Sequence, residues 1–159
     1  MIDNNGLEIE RRYLLKDFPK LDYRMMILIE QFYHPDGSRY RKEFYKNKFT
    51  YLKTNKTFIS KGVNKEDEIK INRKEFIKAM NQCSTFVAKT RWLIVLDDLT
   101  WEIDVFNTSK LVIAEIELKG TTLSKVKIPK QLAPYVLMEI TGKKKFSNRS
   151  LSVNYEHFS

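Results

Sequence analysis

Cysteine occurs once, at Cys83, in a chain of 159 residues. A single thiol excludes an internal disulfide and any zinc cluster built on cysteine. Histidine occurs twice, at His34 in a turn-forming stretch and at His157 near the end of the sequence, and neither position suits catalysis. Glycine and proline are sparse, five and four residues, which excludes collagen-like and low-complexity chains. No apolar run approaches the roughly 18–20 residues that a membrane span needs. Met1-Ile2-Asp3-Asn4-Asn5-Gly6 offers neither the basic start nor the apolar segment of a secretory signal. There is also no G-x-x-x-x-G-K-[ST] loop, so phosphate is not held here by a P-loop. The expectation is one cytoplasmic domain over residues 1–159, long enough for a sizeable core.

What the chain does have is charge in a pattern. Basic side chains number 29 against 20 acidic, a formal net charge of +9, which favours a polyanionic partner without choosing one. The pattern starts at Leu7-Glu8-Ile9-Glu10-Arg11-Arg12-Tyr13, where residues alternate with period 2. Leu7, Ile9, Arg11 and Tyr13 share one face of a strand; Glu8, Glu10 and Arg12 share the other. Far down the chain, Ala114-Glu115-Ile116-Glu117-Leu118-Lys119 repeats the Glu-x-Glu-x-basic order. These two strands read as halves of one site.

Between them lie further strand signals. Met25 to Tyr33 is extended and apolar, and His34-Pro35-Asp36-Gly37-Ser38 turns it back through Arg39 to Tyr45. Lys46-Asn47-Lys48 is a tight connection to Phe49–Thr54. Lys56 to Lys65 reads as a mobile loop before a short strand over Glu66–Ile71. Asn72 caps a helix with Glu75 in capping-box position. Ser84 to Leu96 and Leu99 to Phe106 form a hairpin about Asp97-Asp98. Thr121 to Tyr135 carries short helical turns, Val136 to Thr141 a last short strand, and Ser147 caps a terminal helix reaching toward Tyr155. About eight strands joined by hairpins, with few short helices, predict a mainly β fold: an antiparallel barrel, closed or nearly so.

Charged pairs at i, i+2 recur on strand after strand: Glu8/Glu10/Arg12, Arg39/Arg41, Glu66/Glu68/Lys70, Lys89/Arg91, Glu102/Asp104 and Glu115/Glu117/Lys119. One Glu-x-Glu pair is ordinarily a solvated face. Several in phase with apolar neighbours imply that the apolar faces pack outward and the charged faces converge inside. Burying an unpaired ion costs several kcal/mol, so such an interior makes sense around a ligand of complementary charge. Carboxylate pairs suit a hard cation, Mg²⁺ or Mn²⁺. Arginine forks and lysines suit phosphate. Together they point to a metal-bound oligophosphate, hydrolysed by an in-line water. Glu66/Glu68 and Glu102/Asp104 are the weaker members, since nearby charges could simply solubilise their strands.

With those residues in place, the sequence resembles the CYTH superfamily, the triphosphate tunnel metalloenzymes, and among them the bacterial inorganic triphosphatases most closely. The likeness rests on Glu8-Ile9-Glu10-Arg11-Arg12 for the E-x-E-x-K signature. It continues through Gln31-Phe32-Tyr33, Arg39-Tyr40-Arg41, Lys53, Glu66-Asp67-Glu68, Lys89-Thr90-Arg91, Trp101 to Phe106 and Ala114 to Leu118, and reaches Phe146-Ser147-Asn148. The resemblance implies an eight-stranded antiparallel tunnel that binds a triphosphate with Mg²⁺ or Mn²⁺. It implies metal ligands at Glu8, Glu10, Glu115 and Glu117, with Asp104 and Glu68 as further acidic partners. Arg12, Arg39, Arg41, Lys53, Lys89 and Arg91 would hold phosphates, and the catalytic set would be Glu8, Glu10, Arg12, Lys89 and Glu117. Arg12 stands where relatives carry lysine; arginine stays protonated, so it serves as a phosphate anchor and not as a proton carrier. Asn64 and Lys65 stand where relatives often carry arginine, and Phe146 replaces a common tyrosine.

The leading expectation is a metal-dependent hydrolase releasing the terminal phosphate of inorganic tripolyphosphate, with nucleoside triphosphates as further substrates. On the same fold, a class IV-type adenylate cyclase or thiamine triphosphatase is the alternative; the absence of a His-Phe leader ahead of Glu8 disfavours cyclisation. A non-catalytic module binding polyphosphate or RNA is the third reading, because +9 exceeds what one small substrate needs. No membrane partner is expected, nucleic acid is disfavoured, and a homodimer is left open.

Overall fold

Period-2 alternation gives each strand two faces, and the way those faces sort decides the architecture. The computed structural model describes residues 7–118 and 126–155. Eight strands, β1 (Leu7–Leu15), β2 (Met25–Tyr33), β3 (Arg39–Tyr45), β4 (Lys48–Ser60), β5 (Val63–Ile71), β6 (Thr85–Leu96), β7 (Leu99–Phe106) and β8 (Val112–Glu117), pair antiparallel in the order β6-β2-β3-β4-β5-β1-β8-β7. β7 pairs back onto β6 from Lys89/Phe106 to Leu96/Leu99, which closes the barrel. Closure removes the exposed edges an open sheet would present.

Hairpin turns fix the registers. Lys46 and Asn47 have φ of 47° and 60°, Asp97 and Asp98 51° and 63°. Two consecutive left-handed residues match the strand twist across a two-residue loop. The expected tight connections are therefore present at both places. Helix α1 (Arg73–Met80) begins at Asn72, whose side chain accepts from the Glu75 N–H at 2.8 Å. It sets Phe76 against Phe32 and Tyr51 on the outer wall. The terminal helix α2 (Asn148–Leu151) is a single turn capped by Ser147. The chain then adds a short strand β10 (Val153–Asn154) to β6, while β9 (Val136–Glu139) pairs with the second half of β1.

The stretch from Lys56 to Lys65 is a correction. It is no loop: β4 and β5 run on as one long hairpin past the barrel rim, paired from Tyr51/Ile71 to Ser60/Val63. Its Lys, Asn and Ser content reads as loop because this extension is solvated, with Thr57, Phe58, Ile59 and Ser60 all exposed.

The core divides in three, one part being Phe32, Phe76 and Cys83 beneath α1. Outside the barrel, Tyr13, Leu15, Ile94, Trp101, Ile103, Ala114 and Ile116 pack under Val126, Leu132 and Tyr135 from the later chain. Inside, the strands' inner faces change character along the axis. Val87, Phe106 and Ile113 continue the same faces that carry Lys89, Asp104 and Glu115 two residues away. With Tyr33 and Ile140 they form an apolar floor, flanked by Leu14, Phe146 and Leu151. Burying these rings and branched side chains stabilises the barrel by about 1.5–3 kcal/mol each, so the charged section sits between a greasy floor and an open mouth. Among the described residues, no helix is long and apolar enough to cross a membrane. Residues of the expected patterns at 119 and 121–125, and His157, lie outside the described residues.

Candidate active site

A cavity of about 850 Å³ occupies the lumen. Strand parity supplies its lining: Glu8, Glu10 and Arg12 from β1, Arg39 and Arg41 from β3, Thr54 and Lys56 from β4, Glu66 and Glu68 from β5, Lys89 and Arg91 from β6, Glu102 from β7, and Glu115 and Glu117 from β8. The two Glu-x-Glu strands are direct neighbours, with Glu10 opposite Glu117 and Arg12 opposite Glu115. Their expected partnership is thus a matter of register.

The acidic side is crowded. Carboxylate oxygens of Glu102, Glu115 and Glu117 lie within 4.8 Å of one another. Burial, the charge of Glu115 and a shared hydrogen bond with it push Glu10 well above the usual carboxylate range. Glu115 ends on the other side of that shared proton. Burial would raise it, but the hydrogen bond from Glu10 and the guanidiniums of Arg12 and Arg91 outweigh burial and hold it low. Glu8 is raised to about 7 by burial and by its hydrogen bond with Glu66, against the opposing pull of Lys56. Lys56 Nζ lies 2.7 Å from Glu8 Oε1 and 3.5 Å from Glu66 Oε2. Burial also raises Glu102, against Arg91. Close carboxylates in low dielectric cannot all ionise without cations.

The basic side is anchored. Lys89 is fully buried, 2.7 Å from Asp104 Oδ2, and donates to Asn148 Oδ1 at 2.9 Å. Desolvation lowers it to about 7 despite Asp104. Arg91 grips Asp104 through Nε at 2.8 Å and Nη2 at 3.0 Å, and its Nη1 reaches Glu102 Oε2 at 3.0 Å. Arg41 donates from Nε to Gln31 Oε1 at 2.9 Å, and Gln31 in turn donates to the Tyr33 hydroxyl at 2.8 Å. Burial, then Arg39 and Arg91, brings Arg41 down to about 10. Arg39 donates to Thr54 Oγ1 at 3.2 Å and stands about 4 Å from Glu66 and Glu68. Arg12 donates from Nη1 to the Phe146 carbonyl at 2.8 Å. That backbone oxygen is what position 146 gives the site, whatever its ring carries.

Two expected site residues are placed elsewhere. Asp104 is 2% exposed and both its oxygens accept from Lys89 and Arg91. Burial would raise its carboxyl; Arg91 and Lys89 outweigh that and hold it below the usual range. It braces two cations, and the acid of β7 whose oxygens lie beside those of Glu115 and Glu117 is Glu102. Lys53 lies on the outer face, opposite Tyr40 and Ile69 in register, its Nζ 5.7 Å from the Tyr40 ring centroid. The inward lysine of β4 is Lys56.

The remaining expected residues, Glu8, Glu10, Arg12, Glu68, Lys89, Arg39, Arg41, Arg91, Glu115 and Glu117, do converge. The sequence reasoning misses Lys56 by reading it as loop; it includes Glu66 and Glu102 among the recurring charged pairs but gives them no metal role, and Lys143, Lys144, Asn148 and Arg149 join the lining from the later chain. Parity with Thr54 could have found Lys56. Nothing in the sequence places the later segment over the lumen. His34 stays on the surface, bonded to Gln82 at 2.9 Å.

A fit for cation and phosphate is testable on atoms left over. Glu66 Oε2 and Glu102 Oε2 are buried and accept no hydrogen bond, their close cations among the described residues being Lys56 Nζ at 3.5 Å and Arg91 Nη1 at 3.0 Å respectively; Arg12 Nε, 3.3 Å from Glu115 Oε2, and Arg39 Nε are buried and donate none. Buried polar atoms are normally satisfied. Unused acceptors on the acidic side fit a hard cation, and unused guanidinium N–H groups fit phosphate oxygens.

No protein-family model and no curated protein matches this chain. Among solved structures, the inorganic triphosphatase NE1496 is 25% identical over 91% of this chain and 93% of that one, with a TM-score of 0.59. The PH1819 protein from Pyrococcus horikoshii OT3 is 16% identical over 74% of this chain and 81% of that one, with a TM-score of 0.58.

Proposed function

We propose that this chain, a triphosphate tunnel protein of the CYTH type by its fold, is a metal-dependent hydrolase that removes the terminal phosphate of inorganic tripolyphosphate. The observation that carries the reading is a set of buried charged atoms in one lumen left without hydrogen bonds, carboxylate oxygens of Glu66 and Glu102 and guanidinium nitrogens of Arg12 and Arg39. A chelated polyanion satisfies both signs at once. The likeness to the triphosphatase NE1496 supports the same substrate class.

Glu8, Glu10, Glu66, Glu68, Glu102, Glu115 and Glu117 offer the oxygen donors for Mg²⁺ or Mn²⁺. Such an ion neutralises charge developing on the phosphoryl oxygens. Arg39, Arg41, Lys89 and Arg91 orient the phosphate chain, each held by its own partner so that little reorganisation accompanies reaction. Arg12 anchors a phosphate without exchanging a proton. Water attacks the terminal phosphorus in line, the P–O anhydride bond breaks, and pyrophosphate carries away the electron pair. The water's proton passes to a nearby carboxylate; Glu8, raised to about 7 by burial and Glu66, is the best matched acceptor near neutral pH.

Phosphate release from tripolyphosphate, with Mn²⁺ or Mg²⁺ and with EDTA, tests the reading. Turnover that survives EDTA overturns it, as does a Glu117→Gln protein that folds and retains full activity. Nucleoside triphosphates form a second substrate class, favoured by the cavity's size (about 850 Å³, within the range that holds organic ligands) and by Phe58 in its lining.

A further inference from the structure

Lys56 differs from the other lumen cations in how it is held. Lys89 and Arg91 are fixed by the buried Asp104, and Arg41 by Gln31. Lys56 rises from the solvated extension of β4, its side chain still 36% exposed, and ends 2.7 Å from Glu8 Oε1 and 3.5 Å from Glu66 Oε2. Both glutamates are 6% exposed. Among the described residues, its ammonium is paired with these two carboxylates. Glu66 Oε2, though near the ammonium, accepts no hydrogen bond from it. A compact charge on a flexible four-carbon stem, with solvent behind it, can be withdrawn at little cost; the anchored cations cannot.

Resting on the metal-dependent reading above, we infer that Lys56 is a tethered counter-ion that competes with the divalent cation for Glu8 and Glu66. It keeps the two carboxylates together in the metal-free protein. Cation binding at that pair displaces the ammonium, which is then free for the phosphates. Lys56 thus couples arrival of the cation to completion of the anion site, as a positioning residue acting through Glu8.

Titration calorimetry with Mn²⁺ alone, at about pH 8 where protons compete less for Glu8, reads the competition without turnover. Lys56→Met keeps the stem and removes the charge, and binds Mn²⁺ about tenfold tighter than the parent. Lys70→Met, which removes equal charge from the cavity wall, gives a much smaller change. Unchanged or weaker binding by Lys56→Met, or equal tightening in both variants, overturns the inference. Should Lys56→Met fail to fold, amine acylation of the parent protein decides. Mn²⁺ speeds modification of Lys56 relative to the hairpin-turn Lys46, and an unaltered ratio overturns it. Failure of the parent to bind Mn²⁺ at all would overturn both this inference and the metal-dependent reading; Mn²⁺-dependent turnover with no effect at Lys56 overturns this inference alone.

Discussion

Two groups of buried charge share the lumen and are built on opposite principles. In the first, Asp104 lies between Lys89 at 2.7 Å and Arg91 at 2.8 and 3.0 Å. The acid's oxygens are satisfied, and they hold the two cations in place. In the second, Glu8, Glu10, Glu66, Glu102, Glu115 and Glu117 crowd together with partial compensation from Lys56, Arg12 and Arg91. Burial, and the shared protons that relieve their repulsion, raise Glu8 and Glu10. The difference teaches which residues serve stability and which serve a ligand: a satisfied ion costs the free protein little, whereas a frustrated one is tolerable only if something arrives to neutralise it.

The largest effect comes from breaking the satisfied group. Asp104→Asn leaves Lys89 and Arg91 buried beside a neutral amide. Removing one partner of a buried pair destabilises by about 3–5 kcal/mol, so chemical denaturation is expected to show a strongly lowered midpoint with an unchanged slope. Little change in midpoint would mean the trio is not what holds the cations.

The mirror experiment on the frustrated group is Glu8→Gln. Tripolyphosphate turnover falls by about 10²–10³-fold, the scale of losing one electrostatic contact in the transition state. Metal-free stability does not fall; it holds or rises, because a repelling carboxylate has gone. Activity assays and thermal melts in EDTA on the same preparation check both halves. A variant that loses stability along with activity would place Glu8 in the first class.

The two groups also titrate in opposite directions. Glu8 is raised from 4.5 to about 7 by burial and Glu66. The folded protein keeps that proton after the unfolded chain has lost it, so the stability it contributes is complete below pH 4.5 and disappears by about pH 7. Lys89 is lowered from 10.5 to about 7 by burial. Above pH 7 the unfolded chain binds the extra proton, so stability rises toward 10.5. Together they give the metal-free barrel a trough of stability near pH 7. Melts across this range in EDTA should show the trough, Mn²⁺ should fill it, and Glu8→Gln should flatten its acid side.

How much of this was readable from residues alone follows from the same contrast. Strand faces are local, so Glu8, Glu10 and Arg12 on one side and Leu7, Ile9 and Tyr13 on the other were legible, as were the tight turns at Lys46-Asn47 and Asp97-Asp98. Barrel closure was legible only as a preference, since it depends on β7 pairing with both β8 and β6. Whether a given acid is satisfied is a three-dimensional property: Glu102 and Asp104 are two residues apart on one face, yet Arg91 and Lys89 hydrogen-bond Asp104, whereas Glu102 Oε2 has an ion pair with Arg91 and no hydrogen bond. The covering residues Lys143, Lys144 and Asn148 meet the lumen through β9 and β10, whose short pairings carry almost no sequence signal.

The smallest expected effect tests that limit directly. Lys53 and Lys56 are three apart, so in an extended strand they point to opposite faces; taking Lys56 for loop removes the phase that tells them apart. With β4 continuous to Ser60, Thr54 and Lys56 face the lumen and Lys53 rests against Tyr40 on the outside. Lys53→Met is therefore expected to leave kcat/KM for tripolyphosphate within about twofold of the parent, with stability changed by no more than about 0.5 kcal/mol. A loss comparable to that of Arg41→Met would mean that β4 turns its other face inward when substrate binds. The register with β3 and β5 would then have to slip by one residue, moving Thr54 and Lys56 out of the lumen together.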